Sequence, residues 1–265
     1  GYFGRGVTVQ TVQRASNIFL TQQAASTASV SAADANRRDL LAQLDKVFGT
    51  NAGGLGSAVT HIFNAWADLS AAPADLSARQ SVLADLQSFA TLANTQSDQL
   101  TALQSSVGQN ISNSVSDLNQ MLAAVAALNQ RIVDVHGNGQ TPNDLLDQRD
   151  ELVSRISQSL EVTTVSASDG SIGVFAVGGQ NLVLGNQSNT LVASPDRYDP
   201  TRTDLSLKIG NAQAMLDWSK LGGGSITGAL RFQNEDLAVA RDRLGQLVGA
   251  VAGTLNRQQT FGLDL

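Results

Sequence analysis

Apolar positions recur at helical spacing along most of the chain and change to strict alternation at Glu161. The strongest periodicity runs from about Leu76 to Val135. Within it Leu100, Leu103, Val107, Ile111, Val115, Leu118, Leu122, Val125, Leu128, Ile132 and Val135 span 35 residues in ten steps, a mean spacing of 3.5. That is the coiled-coil period. Few charges flank the stripe, so it reads as a seam inside a larger bundle. A helix of about 55 residues is roughly 80 Å long at 1.5 Å per residue. Gly108 is a candidate break point within it, since glycine costs about 1 kcal/mol in a helix interior.

Shorter elements surround this helix. Gly1 to Val12 reads as a loop and short strand, followed by a helix from near Arg14 to about Val30. A second helix is expected after Asp34 as N-cap, with Leu40, Leu41, Leu44, Val47 and Phe48 on one stripe and a stop at Gly49. Ser57 caps a third, carrying Ile62, Phe63, Trp66 and Leu69 and ending before Pro73; Asp75 or Ser77 caps the long one. After an Asn138-Gly139 turn, Thr141-Pro142-Asn143-Asp144 opens another helix, with Thr141 as N-cap and Leu145, Leu152, Val153, Ile156 and Leu160 on its apolar face.

From Glu161 the period is two. Val162, Thr164 and Ser166, then Ile172, Val174 and Ala176, flank Asp169-Gly170, a hairpin signal. Further strands are expected at Leu182–Leu184, Leu205–Ile209, Ala212–Leu216 and Ser225–Leu230. Helical spacing returns from about Asn234 through Leu237, Leu244, Leu247, Val251 and Leu255. The fold class is therefore α+β, mainly α: an elongated helical bundle (1–160), a small inserted β-rich domain (161–230) and a helix returning to the bundle (231–265).

Composition narrows the function. With 265 residues and 42% hydrophobic content the chain buries a real core. Its longest clean apolar run, Met121 to Leu128, is far below the roughly 20 residues that span a bilayer. The chain opens at Gly1 with no signal-peptide pattern, so trimmed ends or another export route are expected. Cysteine is absent, which excludes disulfides, thiolate nucleophiles and Cys-based metal sites. The 17 basic residues against 23 acidic give a net charge of −6, and no window forms a basic patch, so nucleic acid is not an expected partner. The polar surface is mostly Gln, Asn, Ser and Thr, suited to protein contacts made through neutral hydrogen bonds.

No catalytic, cofactor-binding or metal-binding residue is assigned. Asp144, Asp147, Asp150 and Glu151 put acids at three- and four-residue spacing on one helix. Acids favour the positive helix N-terminus, and Glu151 stands four residues before Arg155, which explains them structurally. His61 and His136 are the only histidines, and neither belongs to an HExxH arrangement. Gly222-Gly-Gly-Ser-Ile-Thr-Gly228 lacks the GxxxxGK[ST] order and lies before an expected strand, so it reads as a flexible loop. Phe63, Trp66 and Leu69 read as a core anchor in preference to an exposed partner patch.

Several phrases resemble one family. Gly6-Val-Thr-Val-Gln-Thr-Val-Gln-Arg-Ala-Ser-Asn-Ile-Phe-Leu20, Ala65-Trp-Ala-Asp-Leu-Ser-Ala-Ala-Pro73 with Arg79-Gln-Ser-Val-Leu83, Asn143-Asp-Leu-Leu-Asp-Gln-Arg-Asp150 and Leu255-Asn-Arg-Gln-Gln-Thr-Phe-Gly-Leu-Asp-Leu265 are similar, in order and spacing, to flagellar hook-associated protein 1, the hook-filament junction family. Asn17 stands where that family usually has an acid. The resemblance implies a structural adaptor, not an enzyme, exported by the flagellar apparatus and located outside the cell in the flagellum. It implies the hook protein and the neighbouring hook-associated junction protein as partners, self-association in the axial structure, and an export chaperone acting through a C-terminal segment beyond this chain. A core lacking both terminal segments is expected to be monomeric in solution. The alternative is a helical ectodomain of a secreted receptor or translocator that binds a partner surface. An enzyme such as a wall-cutting hydrolase would need a carboxylate pair in a cleft, whereas the acids here fall on solvated helix faces.

Overall fold

A computed structural model describes residues 18–49, 53–137 and 142–261. Its spine is α3 (Leu76–Gly137), one unbroken helix of 62 residues, about 93 Å long. Asp75 starts it by accepting the Ser77 N–H at 2.8 Å. Ten of the eleven stripe residues, Leu100 through Ile132, are buried along its length; Val135 is half-buried. No break occurs at Gly108. A Cβ there would stand 2.8 Å from Thr203 Oγ1, so the glycine serves close approach of a strand.

The other elements hang on this rod. α1 (Ile18–Phe48) is a single helix, not two. The expected cap Asp34 lies in its middle, because the segment 24–35 holds no glycine or proline to interrupt it. Its small residues hid the period: Ser29 is buried against Gly223 and Ala33 against the backbone at Gly228. α2 (Leu55–Ala71) begins at N-cap Gly54, ahead of Ser57, and packs antiparallel on the start of α3. α4 (Asn143–Ser159) starts one position later than expected, with Pro142 as N-cap. Thr141, the Asn138-Gly139 turn, the strand at 7–12 and the Arg14 helix start lie outside the described residues.

Between α4 and α5 run seven strands: β1 (Val162–Ser166), β2 (Ile172–Ala176), β3 (Asn181–Leu184), β4 (Gln187–Ser188), β5 (Thr190–Pro195), β6 (Thr203–Ile209) and β7 (Ala212–Met215). They form two antiparallel sheets, ordered β1-β2-β3-β4 and β5-β6-β7. The Asp169-Gly170 hairpin pairs Ser166 with Ile172 and Val162 with Ala176, and Gly170 takes φ +88° in the turn. β4 and β5 went unanticipated; β4 is two residues long and β5 has no clean alternation of burial.

The strand expected at Ser225–Leu230 is instead helix α5 (Ser225–Arg231). Ile226 to Leu230 are all buried, and an apolar run without a polar face does not reveal its period. α5 continues through a π-helical turn (Phe232–Leu237) into α6 (Ala238–Thr260). The strands therefore end at Met215 and the chain is back among the helices well before 231. One core runs from Leu40 and Phe89 through the α3 stripe to the inner faces of both sheets.

Candidate functional site

The polar chemistry buried along the rod is made of carboxamides. Asn129 of α3 is fully buried. Its Oδ1 accepts the Ile172 N–H at 3.1 Å, and its Nδ2 donates to the Ile172 carbonyl at 2.8 Å and to Gly185 O at 2.8 Å. The side chain thus serves β2 as a neighbouring strand would. Asn119, ten residues earlier, does the same for β5: Leu191 N donates to Oδ1 at 2.9 Å and Nδ2 donates to Leu191 O at 2.8 Å. The third bracket comes from the π-helical turn. Gln233 Oε1 accepts the Thr203 N–H at 3.0 Å, Nε2 donates to Thr203 O at 3.0 Å, and Gln104 of α3 donates to the same Oε1 at 3.1 Å. Both sheets are therefore fixed to helices by pairs of hydrogen bonds, buried at Asn129 and Gln233 and half-buried at Asn119, and the buried pairs specify position strongly.

Charged groups reinforce the arrangement. Arg149, the arginine of the Asn143–Asp150 phrase, is buried on α4 and donates from Nη1 to Asn129 Oδ1 at 3.2 Å and to Gly170 O at 2.8 Å. Arg37 of α1 clasps Asp236 with Nε at 2.7 Å and Nη2 at 2.9 Å, and reaches Glu235 at 3.0 Å. Its hydrogen bond to Asp236 raises the guanidinium pKa above its ordinary value. In the β5–β6 connection, Asp196 accepts the Tyr198 and Asp199 N–H groups at 2.6 and 2.7 Å, and these hold its carboxyl below the usual range. Burial, then the neighbouring Asp196, push Asp204 above that range.

The side chains weighed from sequence do not converge. Asp144, Asp147, Asp150 and Glu151 are all exposed on α4. His61 is exposed on α2; His136 is exposed at the end of α3 beside the Gly170 turn. Trp66 is half-buried against the core and its Nε1 has no hydrogen-bond partner among the described residues, whereas Phe63 is 60% exposed. The anchor reading holds for Trp66 and fails for Phe63.

The Gly222–Gly228 segment is a packed corner, not a flexible loop, and its second half, from Ser225, is already the start of α5. Glu161 occupies the place an anion would take: its Oε2 accepts the Gly223 N–H at 2.6 Å while Oε1 accepts from Ser26 at 2.9 Å. Among the described residues no three acids or histidines approach closely enough to hold a metal ion, and no helix is long and apolar enough to cross a membrane.

Sequence reading missed the carboxamide brackets, although a signal was present. Gln104, Asn119 and Asn129 each follow a buried aliphatic residue by four positions and precede another by three, so they lie on the apolar stripe itself.

Comparison with known proteins agrees with this architecture. A family model for the helical domain of flagellar hook-associated protein FlgK matches residues 41–265. Flagellar hook-associated protein 1 of Escherichia coli (strain K12) is 30% identical over 267 residues, covering 100% of this chain and 49% of that protein. The Bacillus subtilis protein of the same name is 26% identical over 229 residues, 85% of this chain and 45% of the relative. The chain spans about half the length of the curated relatives it matches. Among solved structures, the flagellar hook junction protein FlgK from Burkholderia pseudomallei superposes with a TM-score of 0.86 at 30% identity, over 92% of this chain and 44% of that one.

Proposed function

Because the chain belongs to the FlgK family of flagellar hook-associated proteins, we propose that it is the central part of a structural adaptor joining the flagellar hook to the filament outside the cell, with no catalytic chemistry of its own. The observation that carries this reading is the rod: a single 62-residue helix whose second half holds both sheets through carboxamide hydrogen bonds and against which the other helices pack. Such a body transmits force along its length, because neither sheet shifts along the helix without breaking a bracket. The hook protein and the next junction protein are its axial partners, copies of itself its lateral ones, and an export chaperone acts on a segment C-terminal to this chain. The strand-rich unit, with all four residues of β7 exposed, faces outward.

Deleting the gene in the source bacterium tests the reading. Hooks without filaments, with flagellin shed into the medium, are expected. Cells that keep attached filaments would overturn it.

A further inference from the structure

Thr203, where β6 begins, is held at the middle of the rod. It abuts Gly108, about halfway along α3, and is bracketed by Gln233, to which Gln104 donates. The β5–β6 connection, residues 196–202, is therefore carried far from both ends of α3. Its own carboxylates tie it down. Asp196 accepts the Tyr198 and Asp199 N–H groups, and Asp199 accepts the Thr201 N–H at 3.1 Å and the Thr201 hydroxyl at 2.6 Å. Arg202 donates to Asn234 of the π-helical turn. One pair of side chains stays outside these turns. Tyr198 is 88% exposed and Arg197 is exposed, its Cζ 5.9 Å from the centroid of the Tyr198 ring. Arg197 makes no ion pair among the described residues, and the carboxylates flanking the pair are engaged within the loop. Tyrosine and arginine are the residues that most often anchor protein interfaces.

The far side of α3 at the same height is uncharged. From 99 to 116 no residue carries a charge. Gln99, Ala102, Ser106, Gln109 and Asn113 are all exposed there. At about 100° per residue they stand about 100–180° around the helix from Gly108. Exposed helix faces ordinarily carry charges, and serine and asparagine are weaker helix formers than lysine or glutamate, so the helix itself gains nothing from this choice. Depletion of charge is instead a mark of surface that becomes buried in an assembly. Gln109 donates to Asn113 at 3.0 Å, which leaves Gln109 Oε1 and Asn113 Nδ2 without a partner among the described residues. Asp98 and Asp117 bound the face at its two ends. Both are exposed, and neither makes an ion pair among the described residues.

We propose that the Arg197–Tyr198 tip of one subunit docks on the uncharged flank of α3, residues 99–116, of a second copy. The inference rests on the junction reading and names the surfaces through which its subunits meet side by side. Three observations select a copy of this chain as the occupant. The tip lies at mid-rod, where a subunit alongside reaches it and a partner stacked on either end does not. Tip and flank share one height on opposite sides of α3, so a single contact repeats from subunit to subunit. Asp98 and Asp117 offer Arg197 an acid at either end of the flank, while the Tyr198 hydroxyl meets carboxamides and serines. Two different faces of one subunit make a head-to-tail contact, the kind that generates rings and helices and not closed dimers. A contact made by one loop is weak, so the isolated chain stays monomeric at micromolar concentration. In the assembled junction the local concentration is far higher.

A photo-reactive aromatic reads the contact directly. p-Benzoylphenylalanine is placed at position 198 of the full-length protein in its own bacterium, and isolated hook–filament junctions are irradiated. The expected product is a ladder of dimers and higher species of this protein, with the cross-linked peptide falling between Asp98 and Asp117. The chain has no cysteine, so Tyr198→Cys with Gln109→Cys and a short bis-maleimide linker repeats the test: a ladder from the double variant, monomers from each single one. Tyr198→Ala is expected to leave the melting temperature of the chain unchanged, and a fall in it counts against a docking role. A cross-link confined to another protein or to another part of the copy overturns the contact and leaves the junction reading standing. Attached filaments with no cross-link from either design do the same. Filaments that persist after deletion of the gene remove both.

Discussion

Asn129 does the work of several backbone groups at once, and its loss is correspondingly expensive. Asn129→Ala strips Ile172 N–H, Ile172 O and Gly185 O of their partners and takes one acceptor from Arg149. A buried group left unpaired costs about 1–3 kcal/mol, so the variant is expected to lose about 3 kcal/mol, read as a fall in the urea midpoint. Gln130→Ala, one residue on and exposed, is the control and should change little. The Asp204 carboxyl makes a second prediction, about pH. Its folded pKa is raised by burial and by Asp196, so the stability it contributes is complete below the ordinary carboxylate pKa of about 4 and is lost as pH rises through the raised value. Asp204→Asn keeps a hydrogen bond to Asp196 without acquiring charge. Its melting temperature should match or trail the native one near pH 3.5 and exceed it at pH 7; a difference independent of pH would contradict the assignment. The chain itself showed these residues only halfway. Gln104, Asn119 and Asn129 were visible as interruptions of the stripe, but their partners lie 43 to 129 residues away in sequence, and no local pattern names such a partner.

At the scale of elements, glycine separates packed contacts from open helix surface. A Cβ at Gly228 of α5 would fall 2.3 Å from Ala33 O of α1, whereas one at Gly249 of α6 meets nothing within 4 Å. Both sit in helices, where alanine is intrinsically better by about 1 kcal/mol. Gly249→Ala should therefore stabilise by about 1 kcal/mol. Gly228→Ala should destabilise by about 3 kcal/mol or more, since α1 backbone must move. Thermal unfolding of the pair decides the point. This contact also explains where sequence reading of elements failed. α1 seemed to break because its buried face, Ser29 and Ala33, is small, matched to the glycines of the 223–228 corner. α5 looked like a strand because it is buried all round. Where one face was wet and the other dry, as along α3, the period was plain and the element was found in place; the β1–β2 hairpin, whose second strand is buried on both faces, was marked by its Asp169-Gly170 turn.

The whole molecule follows from α3. A 3.5-residue period sustained over 35 residues announced a long helix, and the order of helices, strands and helix was legible from the change of period at Glu161. What was not legible is that α3 runs uninterrupted through Gly108 and carries both sheets on its second half. This helix makes the protein a stiff elongated body. Small-angle X-ray scattering of the 265-residue chain tests it most directly. A rod of about 93 Å gives a radius of gyration of about 27 Å and a maximum dimension of at least about 90 Å. A compact chain of this length would give about 18 Å. The larger values are expected, at every protein concentration in the micromolar range; a radius near 18 Å would contradict an elongated rod.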